Sequence, residues 1–98
     1  MNVNTLDEVL RNLKGIKNQG VITDNRQKEY FWMMARDVRR ITAEMEAYQQ
    51  AFNKFANMAD ECKDQNLAYA FKKVSRDFNP ELEYLAEIAK TMKAIAES

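Results

Sequence analysis

Apolar residues recur every three or four positions along most of this chain, the spacing that lines one face of an α-helix. Leu6, Val9, Leu10, Leu13 and Ile16 form a first set. Thr5 and Glu8 read as a capping box in front of it, and Asn18, Gln19 and Gly20 as its stop. Thr23 or Asp24 can cap the next helix. That helix carries the strongest pattern: Phe31, Met34, Val38, Ile41, Met45, Tyr48, Phe52, Phe55, Ala59 and Cys62 alternate steps of three and four. This predicts an a/d seam over more than four heptads.

The seam loses phase after Cys62. Continuing it would bring Asn66, Lys73 and Arg76 inward, where charge is expensive. A new seam starts at Leu67 and runs through Phe71, Val74 and Phe78. Lys63, Asp64, Gln65 and Asn66 therefore predict a tight turn with Asp64 as the following cap; the competing reading is one helix running past residue 70. Asn79 and Pro80 predict a break or kink, since the residue before proline avoids α geometry while Pro suits a first helical turn. Leu82, Leu85, Ile88, Ala89, Met92 and Ile95 follow.

The expected fold is all-α and one domain over residues 1–98, with helices at about 5–18, 25–62, 65–78 and 80–97. The long second helix and the last two form an antiparallel hairpin whose second half is kinked at Pro80. The short N-terminal helix packs at its open end. Centring the turn near residues 64 and 65 pairs Cys62 with Leu67, Ala59 with Phe71, Phe55 with Val74, Phe52 with Phe78, Met45 with Leu85, Ile41 with Ile88 and Met34 with Ile95. Apolar faces apolar at each of these levels, while Tyr48 meets Glu81. Such agreement across levels is what a single fold requires.

Composition narrows the function. With 15 basic and 15 acidic residues in 98, no net field draws the chain to nucleic acid or an anionic membrane. The chain has no His, which removes the commonest general base, His-containing di-iron and zinc sites, and Ser-His or Cys-His nucleophile pairs. The single Cys62 forms no intrachain disulfide and fits a reducing compartment. No apolar run is long enough to span a bilayer and no secretion signal is legible, so a cytoplasmic protein without membrane contact is the expectation. Glu61 and Asp64 form an i, i+3 carboxylate pair, and Glu83 and Glu87 an i, i+4 pair, but roughly 30 Å of rod separates the two. No shared metal, cofactor or catalytic residue is expected, and the chain reads as non-enzymatic.

What remains is surface. Tyr30, Phe31, Trp32, Met33 and Met34 are consecutive and point all round a helix. Packing of the first helix, through Leu10 and Leu13, covers part of them; the rest suit a protein interface, as does the basic run Arg36, Arg39 and Arg40, level with Lys90 and Lys93. The candidate protein interface is thus Tyr30, Trp32, Met33, Arg36, Arg39 and Arg40. The expected partners are a second copy, giving a dimeric helical bundle, and another protein, with the chain as adaptor, assembly factor or inhibitor. The alternative is a nucleic-acid accessory protein using Lys54, Lys72, Lys73 and Arg76.

Overall fold

The computed structural model describes residues 2–20 and 24–98. They form three helices, α1 (Val3–Asn18), α2 (Asn25–Glu61) and α3 (Gln65–Ala96), and no strand is present among the described residues. The Cα trace measures 60 by 21 by 14 Å. That length is close to the roughly 55 Å expected of a 37-residue helix. α2 and α3 lie against each other as the expected antiparallel hairpin, and α1 lies on α3.

Each helix start is capped by a short polar side chain. Asp24 Oδ1 accepts from the Arg26 amide at 2.9 Å and Asp64 Oδ1 from the Leu67 amide at 3.1 Å. Thr23, the other candidate cap, lies outside the described residues. α1 begins two residues earlier than the Thr5 capping box predicts: Asn2 Oδ1 accepts from the Asn4 amide at 2.9 Å, and Thr5 falls inside the first turn. Asn caps at least as well as Thr, and starting there adds a helical turn.

α3 begins at Gln65, as the Asp64 cap predicts, so of the four residues read as the turn Gln65 and Asn66 already lie in the helix. Asp64 N–H donates to the Ala59 carbonyl and Lys63 N–H to the Asp60 carbonyl. This is the paired bonding of a Schellman ending, with Lys63 in the left-handed position at φ 62°. The chain reverses within these residues, so the alternative of one uninterrupted helix past residue 70 does not hold.

α3 runs unbroken through Pro80, where two helices were expected. Proline removes one backbone donor, and its ring crowds the preceding turn. A side chain from α2 ties into the helix just ahead of the proline, though not onto the Arg76 carbonyl whose donor is missing: Gln49 Nε2 donates to the Ser75 carbonyl at 2.8 Å and to Asn79 Oδ1 at 2.7 Å. The Ser75 hydroxyl returns a bond to the Gln49 carbonyl at 3.3 Å. Buried Ser75 is thereby satisfied, and among the described residues no buried side-chain nitrogen or oxygen lacks a partner.

The hairpin register follows the expected pairing toward the tip, whereas Met34 and Ile41 stay exposed where burial against Ile95 and Ile88 was expected. Phe52 meets Phe78 with ring centroids 6.2 Å apart, and Ala59, Cys62, Leu67 and Phe71 border one groove near the tip. Phe55 meets Phe71 at 5.6 Å, one turn nearer the tip than the Val74 expected. The phase of the α2 seam is different from the prediction at every second step. Phe31, Val38, Met45, Phe52 and Ala59 do turn inward, but the positions between them are Ala35, Thr42, Gln49 and Ala56. Ala35 and Ala56 are 1% exposed, against 43% for Met34 and 42% for Phe55. Ala68, Ser75 and Ala89 supply small buried residues on α3 in the same way. Small side chains let the two backbones approach, and close packing of the whole interface outweighs burial of the largest residue at each step.

α1 completes the core at the open end. Leu6, Leu10 and Leu13 are buried with Ala35, Met45, Leu85, Ile88, Met92 and Ile95. Tyr84 Oη donates to Asp7 Oδ1 at 3.4 Å, fixing the start of α1 level with the middle of α3. The expected packing of α1 over the aromatic-methionine cluster is met only at Phe31, which joins this core. Tyr30, Trp32, Met33 and Met34 stay exposed because α1 sits on α3 and not on α2.

Candidate protein-binding surface

The side chains singled out near Trp32 converge on one side of the hairpin. Ala35 and Thr42 belong to the seam, and Arg36, Arg39, Ala43 and Glu46 lie just beyond it on α2. Opposite them on α3 stand Ala86, Ala89, Lys90 and Lys93. Arg39, Thr42, Ala43, Glu46, Ala86, Ala89, Lys90 and Lys93 bound a groove of about 390 Å³. Its floor is alanine, and its rim is mainly cationic. A second hollow of about 150 Å³, between Trp32, Met33, Ala35, Arg36 and Arg39, continues it toward the open end, with Arg39 common to both.

Trp32 is half exposed, and Lys93 Nζ lies 5.9 Å from the centroid of its ring. A cation over an indole face at an exposed site contributes about 0.5–1 kcal/mol, enough to bias the indole against the groove wall. The cations are weakly committed elsewhere: Arg36 lies 3.8 Å from Asp37 and Lys93 3.9 Å from Glu97, both pairs well exposed. Glu46 is the one carboxylate on the rim. An apolar floor, an aromatic side wall and converging cations suit a segment carrying both an apolar anchor and negative charge.

The remaining candidates are distributed differently. Arg40 lies beside Asp37 at 3.8 Å, away from the groove, and Tyr30 borders a separate hollow with Ile16, Gly20, Phe31 and Met34 between α1 and α2. The basic set Lys54, Lys72, Lys73 and Arg76 does not gather. Lys72 Nζ lies 3.9 Å from Asp60 across the hairpin. Lys54 and Lys73 each follow an inward phenylalanine by two residues, about 200° round their helices, and so occupy opposite outer edges of the rod.

Lys90 and Lys93 were legible only as a band level with the arginines; the seam phase brings them to the groove rim. Among the described residues no group of His, Cys, Asp and Glu is arranged to hold a metal, and no helix is long and apolar enough to cross a membrane. Comparison with protein-family models, curated proteins and solved structures gave no match.

Proposed function

We propose that this chain is a non-enzymatic protein-interaction module, an adaptor, assembly factor or inhibitor, that grips an acidic segment of its partner in the Trp32–Arg39–Lys93 groove. The observation that carries the reading is the convergence of Arg39, Lys90 and Lys93 on one alanine-floored groove, joined through Arg39 to the hollow of Arg36 and a half-exposed Trp32, in a chain with no net charge. Local concentration of one sign, against a neutral whole, is the pattern of a surface that selects an oppositely charged partner. The hollow beside Trp32 and Met33 accepts the anchor side chain, and the cations meet carboxylates on either side of it.

Trp32 is the only tryptophan and reports directly on occupancy. Its fluorescence is followed while a peptide with one leucine or phenylalanine flanked by glutamates is added. Saturable change that weakens with salt, and that is lost in Arg39→Glu, supports the reading. Equal response to a peptide with lysines in place of the glutamates sinks it. A stronger response to a short oligonucleotide than to the peptide also counts against it, because the groove cations then prefer phosphates to carboxylates.

A further inference from the structure

The displaced seam leaves α2 with a second, unused one. Besides Trp32 and Met33 at the groove, the large apolar residues of α2 that the hairpin leaves exposed are Tyr30, Met34, Ile41, Tyr48, Phe55 and Met58, with exposed Cys62 at the end. They are not scattered. Met34, Ile41, Tyr48, Phe55 and Cys62 form one row at seven-residue intervals, and Tyr30, Asp37, Glu44, Ala51 and Met58 form a neighbouring row. Together the rows step by four and three residues along the whole of α2, which is an a/d pattern interrupted only by Asp37 and Glu44. The groove of Arg39 and Lys90 lies beyond Ala35 and Thr42 on one side of the hairpin seam; Met34 and Ile41 lie on the other. α1 rests on α3 and comes near this stripe only at its start, where Ile16 shares a hollow with Tyr30 and Met34.

We propose that this stripe pairs α2 with α2 of a second copy, antiparallel, about a twofold axis between the levels of Tyr48 and Ala51. An a/d stripe packs against an antiparallel copy of itself by setting each residue of one row against the other row of the partner helix. In the register centred here, Ile41 meets Met58 of the second copy and Tyr48 meets its Ala51, while the two carboxylates in the row, Glu44 and Asp37, come level with its Phe55 and Cys62 near the ends of the overlap. The charges in and beside the stripe choose this register and this direction. Arg40 comes level with Glu61 of the second copy, and Glu44 with its Lys54. Each contact occurs twice, as a twofold interface requires. A parallel pair sets Asp37 against Asp37 and Glu44 against Glu44 within the seam, and sliding the antiparallel pair by one heptad toward the N-terminus sets Arg40 beside Lys54. Glu44, Lys54 and Glu61 are exposed, and Arg40 spends only a loose 3.8 Å contact on Asp37.

This surface is separate from the Trp32 groove, so failure of peptide binding there leaves the dimer standing, and the reverse. Cys62 is the only cysteine and offers a label without any substitution. In the proposed dimer the two Cys62 residues lie 25 residues of helix rise apart, about 38 Å. Light scattering is expected to give twice the 11.5 kDa chain mass. Pulsed dipolar spectroscopy on spin-labelled Cys62 is expected to give a separation of about 38 Å. In a Cys62→Ser background, Ile41→Cys together with Met58→Cys is expected to yield a disulfide-linked dimer, since helix rise holds the two sites about 25 Å apart within one chain. Lys54→Glu is expected to weaken association about tenfold, and adding Glu44→Lys to restore it. A monomer at all concentrations overturns the proposal. So does a label separation below about 20 Å, which a parallel or tip-to-tip dimer gives, or a double charge variant no better than the single.

Discussion

Gln49 Nε2 bonds the main-chain carbonyl of Ser75 at 2.8 Å, five residues ahead of Pro80 on the facing helix. Proline disturbs the helix most in the turn before it, and this amide reaches into that turn while also holding Asn79. Gln49→Ala is expected to destabilise the fold by about 1–2 kcal/mol, the value of hydrogen bonds whose partners stay part-buried. Pro80→Ala restores the missing donor and is expected to stabilise by about 1–3 kcal/mol. Combining them tests the link: in the alanine background at residue 80, Gln49→Ala is expected to cost measurably less. Urea unfolding at one fixed protein concentration, followed by helical circular dichroism, supplies the cycle. Strict additivity would separate the two residues.

Lys63 holds φ at 62° in the turn between α2 and α3. Its side chain is exposed, and glycine occupies that backbone region without the steric penalty of a Cβ. Lys63→Gly is expected to stabilise by about 1 kcal/mol, and Lys63→Val to destabilise by at least as much, because a β-branched residue tolerates the left-handed region poorly. Thermal unfolding decides it: the glycine variant melts several degrees higher. No change in either direction would mean that the turn relaxes to another conformation.

Much of this fold was legible in the pattern of apolar residues: the helices, the reversal after Cys62, the hairpin register and the Asp64 cap. The phase of the seam was legible only in part, and the reason is physical. Reading for the larger apolar residue at each step selects Met34 over Ala35, Ile41 over Thr42, Tyr48 over Gln49 and Phe55 over Ala56. The hairpin buries the smaller neighbour each time. Sequence periodicity marks a face of about 100°, and α2 carries two overlapping faces whose large residues belong mainly to the second. Pro80 misled for another reason: the residue before a proline avoids α geometry only by preference, and α3 continues through Asn79 and Pro80 while Gln49, thirty-one residues before the proline in the chain, holds Asn79 from the facing helix. In the candidate groove, Trp32, Arg36 and Arg39 were visible as residue types, whereas the alanine floor of Ala43, Ala86 and Ala89 carries no signal until both helices are placed.

The corrected phase has its own test. Ala56 is 1% exposed between the helices, whereas Ala47 on the same helix is exposed. Ala56→Leu adds three heavy atoms to a filled interface and is expected to destabilise by about 1–3 kcal/mol. Ala47→Leu is expected to stay within about 0.5 kcal/mol of the starting protein. The originally expected seam buries neither residue and assigns both substitutions the same small effect. Denaturant midpoints for the pair therefore discriminate between the two phases directly.

α1 is held by three leucines and little else. Leu6, Leu10 and Leu13 are buried against α3 and the open end of the hairpin, while the polar tie between Tyr84 and Asp7 is long at 3.4 Å. Leu10→Ala is expected to remove about 2–4 kcal/mol of packing, the usual loss for a leucine truncated in a core. Sixteen residues of helix have marginal stability alone in water, so the loss falls first on α1. Amide hydrogen exchange is expected to quicken across α1, and at Ile88 and Ile95 of α3, which share its cluster. Amides from Phe52 to Phe78, around the tip of the hairpin, are expected to keep their protection, because Phe52, Phe71 and Phe78 pack there without α1. Equal loss of protection over all three helices would show one cooperative unit, with the N-terminal helix as necessary to the hairpin as the hairpin is to it.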